Sequence, residues 1–166
     1  MSVKEIVHYP DSILREPTNE VENFDDDLNA LIKDMWDTMY AFDGIGLAAP
    51  QIGVPRKIIV IDYQGEKYTL VNPDILSEEG KVTNEEGCLS FPGIYVNVDA
   101  PERMNVRYYD ADGKAHEKIV DGFLACVFSH EIDHLNGRLL IDRVSPLRRQ
   151  FIKKRIAKSA ADSEKA

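Results

Sequence analysis

No apolar run in this 166-residue chain approaches the roughly 20 residues that a membrane-spanning helix needs, so no span is expected. The first residues, Met1-Ser2-Val3-Lys4-Glu5, lack the basic-then-apolar pattern of a secretory signal, and we expect the protein in the cytoplasm, with no membrane partner. Cysteine is scarce. Only Cys88 and Cys126 occur, and in a reducing compartment they are not expected to pair, which leaves thiol chemistry or metal binding open to either. Histidine is scarce as well, with four in the chain, so a place where two fall together carries weight. Positive charge is in deficit: 20 Lys and Arg face 29 Asp and Glu, a net charge of −9. Bulk attraction to nucleic acid is therefore not the default. The deficit is uneven. Residues 146–161 carry six bases and no acid, which leaves 14 bases against 29 acids elsewhere.

What is present reads as an ordinary globular composition, 43% hydrophobic and 30% charged. The length suits one domain, 1–166, with a basic helix and a frayed tail over 146–166. Pro10 and Pro17 break the first 23 residues and leave room for a turn of helix at Asp11-Ser12-Ile13-Leu14-Arg15. Acids at Asp25, Asp26 and Asp27 suit a helix start. Leu28, Leu31, Ile32, Met35, Met39 and Tyr40 follow at helical spacing, to about Phe42. Residues 57–62 read as a buried strand and 68–72 as its returning partner, stopped by Asn72-Pro73. A further strand pair is expected around Glu79-Gly80, and short strands at 96–98, 104–109 and 115–120, with Asp112-Gly113 as a hairpin turn. Ser145-Pro146 opens a last helix, with Leu147, Phe151 and Ile156 as its apolar stripe and fraying from Ser159.

Two stretches stand apart. The first is His130-Glu131-Ile132-Asp133-His134, an H-E-x-x-H pattern after an apolar run that suggests a buried helix. On a helix, positions i and i+4 share a face, so both imidazoles can hold one metal ion. The Glu beside the first His can reach a water on that metal as its base. Gly137 reads as the helix stop. A single His in an apolar helix is usually structural, but two with a carboxylate between them need a reason for their desolvation. A catalytic metal takes three protein ligands and leaves a place for water. Cys88, between Gly87 and a polar Ser90, is a third candidate, whereas Cys126 sits in an apolar run as an inert thiol does. The second stretch, residues 44–53, is rich in small residues and cannot be a stable helix. It lacks the third glycine of a phosphate loop. It is either a tight connection or an extended edge whose backbone comes close to a ligand.

Three segments together resemble the bacterial peptide deformylases: Gly44-Ile45-Gly46-Leu47-Ala48-Ala49-Pro50-Gln51, Glu86-Gly87-Cys88-Leu89-Ser90 and His130-Glu131-Ile132-Asp133-His134-Leu135-Asn136-Gly137. H-E-x-x-H alone is shared with many metalloproteases; the three-part set is highly specific. The resemblance implies an α+β fold, with antiparallel β-sheets packed around a central metal-binding helix and a C-terminal helix. It implies removal of the formyl group, as formate, from N-formylmethionine on nascent polypeptides during protein biosynthesis. The implied metal is one divalent ion, typically Fe(II), with Zn, Ni or Co able to replace it. By motif match the ligands are Cys88, His130 and His134, the general acid/base is Glu131, and the oxyanion donors are Gln51 and the Leu89 backbone N–H. An extended substrate then pairs as an added strand with the backbone of Gly44, Ile45 and Gly46. Helical spacing back from His130 offers Phe123, Cys126 and Val127 for a methionine pocket, although core packing explains them equally well. The chain departs from many bacterial members after the cysteine motif, where they carry basic residues. Here the nearest base is Arg103.

Two other readings stand beside this one. A zinc endopeptidase shares the helix motif, yet nothing in the chain supplies an obvious long cleft. A non-catalytic metal-binding module that docks on ribosomes is the other, and Glu131 and Gln51 speak against it. The basic last helix is a solvated face or a ribosome-docking element whose phosphate contacts would be salt-sensitive.

Overall fold

The structure is a computed structural model and describes residues 2–165. Helix α1, Asp26–Ala41, starts where expected: the Asp25 side chain accepts the Leu28 N–H at 3.0 Å. Such a cap is worth about 1 kcal/mol. Leu28, Ile32, Met35 and Met39 form its buried face, one residue per turn. Strand β1, Gly46–Ala48, follows, then a 3₁₀ turn at Ala49–Ile52. Strands β2 (Ile58–Tyr63), β3 (Glu66–Glu79), β4 (Val82–Cys88), β5 (Phe91–Ala100), β6 (Arg103–Tyr109) and β7 (Ala115–Asp121) lead to helix α2, Gly122–Leu135. A 3₁₀ turn at Leu140–Arg143 precedes helix α3, Pro146–Lys165.

All strand pairing is antiparallel, in a five-stranded sheet of order β1-β2-β3-β6-β7 and a separate β4-β5 hairpin. The four apolar residues that open β2 are all buried because the sheet is covered on both faces. Ile59 and Ile61 face α2, packing with Leu70, Met104, Phe128 and Ile132. Ile58 and Val60 face α1, with Leu28, Met35 and Met39. A third cluster joins Leu14, Phe91, Ile94 and Val98 to residues 139–141 and Ile152, and so ties the N-terminal segment, the hairpin and α3 together. The α+β reading with α2 at the centre therefore holds.

Three expectations change. Asn72-Pro73 does not end β3. Asn72 takes a positive φ of 51°, and the ladder with β6 shifts register between Val71 and Asp74. A bulge is where a strand tolerates a proline, since the missing N–H falls out of the ladder. The Asn72 side chain uses the space, accepting from Val21 N–H at 2.8 Å and donating to Val21 C=O at 2.9 Å. The strands around Gly80 do not pair with each other: Glu79 lies opposite Arg103, and Val82 opposite Ala100. The chain changes sheets at Gly80, whose φ of 70° makes the corner. Finally, only Ile156 of the expected stripe docks α3, together with Ile152; Leu147 and Phe151 are exposed, and the helical backbone continues past Ser159 to Lys165.

Helix α2 ends on Gly137, at φ 70°, with Gly137 N–H donating to His134 C=O and Arg138 N–H to Asp133 C=O. This is a Schellman closure. Arg15 braces it, donating to Gly137 C=O at 3.0 Å and to Asp142 at 2.6 Å. Burial alone would raise the Asp142 carboxyl, but Arg15 and the Leu139 N–H outweigh it and hold its pKa below the usual carboxylate range. A depressed folded pKa gives stability that is present above the unfolded value, about 3.9, and is lost as pH falls through the folded value. Asp142→Asn is therefore expected to cost about 1 kcal/mol at neutral pH, with the gap to the parent closing in acid. Urea denaturation at pH 7 and pH 3 checks both the loss and its disappearance.

Candidate active site

Helix α2 is buried almost all round, so its polar residues lie inside the protein. His130 and His134 stand one turn apart, their ring centroids 5.0 Å apart and the planes at 81°. Strand β4 ends on Cys88, whose Sγ lies 3.4 Å from His134 Nε2. One donor atom from each of Cys88, His130 and His134 lies within 4.8 Å of the other two. An ion about 2.0–2.3 Å from each donor fits that spacing and keeps a fourth position for water.

The electrostatics bear on the fit. Burial lowers His130 to about 4 and His134 well below its ordinary value, so both imidazoles are neutral, the form that binds metal. Burial also pushes the Cys88 thiol up to about 12, with the Glu131 charge adding to it. Glu131 itself is raised to about 8 by burial, then by Glu86 and Asp133. Every one of these shifts runs toward the uncharged form. A cation at the three donors acts in the opposite sense and favours the thiolate. A soft sulfur and two imidazoles around one point suit a late divalent transition metal.

Glu131 lies beneath β1. A Cβ on Gly46 would stand 2.7 Å from its Oε2, so only glycine lets the strand pass over the carboxylate. Its Oε1 is buried and has no hydrogen-bond partner among the described residues. Gln51 comes from the 3₁₀ turn after β1. Its Oε1 accepts from Ala48 N–H at 2.9 Å, which aims Nε2 at Cys88 Sγ, 3.6 Å away, and Ser90 Oγ, 3.3 Å away. A cleft of about 820 Å³ opens over this group, walled by residues 44–46 and 85–89, with Phe123, Val127, His130 and Glu131. Strand β1 pairs with β2 on one side only, so its other edge is available to an extended peptide.

Of the residues singled out in the sequence, Gly44, Ile45, Gly46, Gln51, Cys88, Leu89, Phe123, Val127, His130 and Glu131 line the cleft. His134 sits beneath, against Cys88. Cys126 is the exception. It turns away from the cleft, accepts a hydrogen bond from Asn84 Nδ2 at 3.1 Å, and lines a void of about 10 Å³ behind His130. One helical turn before His130 is the right height for a pocket residue, but the rotation puts this thiol on the far side.

That far side holds Arg143, which sequence reading missed. Asp133, between the two histidines, is gripped by Arg143 through Nε and, at 2.9 Å, through Nη2. Glu86 lies 3.8 Å from His130 Nδ1, and burial raises its carboxyl to about 7. Arg143 thus stands beside two buried acids, Asp133 and Glu86, and its charge opposes the rise that burial imposes on Glu86. Nothing in the sequence distinguished Arg143 from any other surface charge.

A buried H-E-x-x-H helix completed by a cysteine from a neighbouring hairpin, with a carboxylate beneath an open edge strand and an amide beside the sulfur, defines a metal-dependent amide hydrolase. The description "Polypeptide deformylase" belongs to the family model that matches residues 3–150. The chain is 46% identical to a peptide deformylase of Brucella suis, over 97% of this chain and 95% of that one. It is 47% identical to the one from Hydrogenovibrio crunogenus, over 96% and 99%. The crystal structure of a peptide deformylase from Legionella pneumophila superposes with a TM-score of 0.93 at 43% identity, covering 99% of each chain. That of the Ehrlichia chaffeensis enzyme in complex with actinonin gives 0.91 at 38% identity, covering 96% of this chain and 98% of that one. The chain belongs to the peptide deformylase family. It is a hydrolase, and its reaction is removal of the formyl group from nascent peptides. The endopeptidase and the non-catalytic module are not favoured.

Arg143→Met removes the only fork on Asp133 among the described residues and leaves a buried carboxylate unpaired. A loss of about 2–3 kcal/mol is expected. Arg143→Lys recovers part of it, because an ammonium cannot make the fork. Pairing Arg143→Met with Asp133→Asn restores most of the loss in thermal denaturation. A neutral single variant would remove the fork from the structural account.

Proposed function

We propose the following division of labour in the deformylation reaction. Cys88, His130 and His134 hold one divalent metal, Fe(II) in the cell, with Zn, Ni or Co able to take its place. When bound, the metal polarises the formyl oxygen and lowers the pKa of a water toward neutrality. Glu131 takes the proton from the attacking water and delivers it to the methionine nitrogen as the C–N bond breaks. Gln51 Nε2 and the Leu89 N–H donate to the oxyanion, and one such donor is worth about 3 kcal/mol in other enzymes. The substrate backbone adds as a strand along Gly44, Ile45 and Gly46. Phe123 and Val127 hold the methionine side chain. The products are formate and a free amino terminus.

The observation that carries this reading is Glu131. A buried carboxylate with an oxygen left unpaired, facing a cleft beside three metal donors, has no use in a purely structural metal site. Among the described residues no helix is long and apolar enough to cross a membrane. We assign the enzyme to the cytoplasm, where formylated chains are made, and read residues 1–166 as one functional unit. Its basic helix α3 is a ribosome-docking element on this reading. The six bases from Arg148 to Lys158 support that, in a chain otherwise acidic.

Protein purified without oxygen and loaded with Fe(II) is expected to release formate from a formyl-Met tripeptide and not to cleave its acetylated twin. Glu131→Ala should keep its metal, by elemental analysis, and lose turnover by about a thousandfold or more. Surviving turnover would remove Glu131 from the mechanism. Ribosome binding should weaken steeply between 50 and 200 mM salt, and Lys153→Glu with Lys154→Glu should weaken it further while sparing the tripeptide reaction. A salt-independent association would end the docking assignment.

A further inference from the structure

The three most exposed large apolar side chains among the described residues meet in one place. Tyr95 is 68% exposed, Leu147 67% and Phe151 67%. They line a groove of about 520 Å³ between β5 and the first turns of α3, with Ile94 and Val96 on the strand side and Arg155 at the rim. Leu147 and Phe151 are four residues apart and share a helix face. That face does not hold α3 in place, since Ile152 and Ile156 pack into the core. Apolar groups of this size are left in water where something else covers them.

The groove adjoins the catalytic cleft and shares a wall with it. Ile94 and Tyr95 line both. The Tyr95 ring is fixed at the join: it lies over Gly87, where a Cβ would stand 2.7 Å from Tyr95 Cε1, one residue before Cys88. A polypeptide whose methionine sits at the metal must leave the cleft, and one exit runs past Tyr95 into the groove. We propose that this groove is a second binding site for the same substrate chain, taking an apolar side chain several residues beyond the methionine. An apolar floor beside Arg148 and Arg155 suits an apolar residue with neutral or acidic neighbours, and disfavours basic ones. The inference rests on the reading of the cleft as the formyl-peptide site. It adds that reaction rate depends on sequence well past the methionine.

The test walks one Phe through positions 4 to 10 of formyl-Met dodecapeptides otherwise made of Ser and Gly. The metal-loaded full-length enzyme is used throughout. A rise of about tenfold in kcat/KM is expected at one or two positions, through KM, as one buried apolar side chain supplies. Leu147→Ser with Phe151→Ser should erase that rise and leave the tripeptide rate as it was; both side chains are exposed, so folding is not at stake. Anisotropy of a labelled, unformylated peptide with Phe at the best position reads the groove without turnover. If the tripeptide is not hydrolysed while that peptide binds and the double variant releases it, the catalytic reading fails and the groove stands. A kcat/KM indifferent to the position of Phe would overturn the proposal, and so would a gain that survives in the double variant. It is equally overturned if the double variant merely dissociates a dimer, or loses ribosomes, with peptide kinetics unchanged.

Discussion

Helix α2 runs through the middle of the protein with five polar residues on it, Ser129, His130, Glu131, Asp133 and His134, and the rest of the structure is arranged to tolerate them. Groups of this kind, taken out of water, cost several kcal/mol each unless they are paired or kept neutral. Asp133 is paired, by Arg143. The two imidazoles stay neutral, and with the Cys88 sulfur they surround one point. Among the described residues Glu131 keeps an unpaired oxygen, as does the small Ser129 hydroxyl, and His134 keeps Nδ1 free, but of these oxygens only the Glu131 carboxylate faces the cleft. Packing explains the surrounding choices: glycine at 46 because the carboxylate lies beneath it, and a 3₁₀ turn at 49–52 that holds the Gln51 amide toward the sulfur.

The legible parts of the fold were those governed by local rules. The acid-capped α1, the buried β2, the hairpin at Asp112-Gly113 and the glycine stop after α2 all follow from spacing and turn chemistry, and each is found where expected. What escaped depends on partners distant in sequence. Pro73 ended a strand on local grounds, but a bulge in β3 against β6 absorbs it. Gly80 looked like a hairpin and is a crossing between two sheets, which no window of ten residues can reveal.

The candidate site divides the same way. Cys88, His130, Glu131 and His134 were legible because scarce residue types at a set spacing leave few explanations, and the structure brings them together. Cys126 was misplaced, since the height along a helix is easier to read than the rotation about it. Arg143 was missed altogether: its role comes from meeting Asp133 across a loop, and arginine is common enough to pass unnoticed.

Among the described residues the β4-β5 hairpin pairs only with itself and yet carries Cys88, one of the three groups that could hold a metal, while the other two stand on α2. A metal ion shared between them would be a cross-link between two separately hydrogen-bonded parts of the molecule. Binding that requires the folded arrangement adds its free energy to folding, about 4 kcal/mol at a thousand times the dissociation constant. That is a large share of what usually separates a folded domain from an unfolded one. The supply of metal in the cell would then set how long each copy of the enzyme survives, as well as how fast it works.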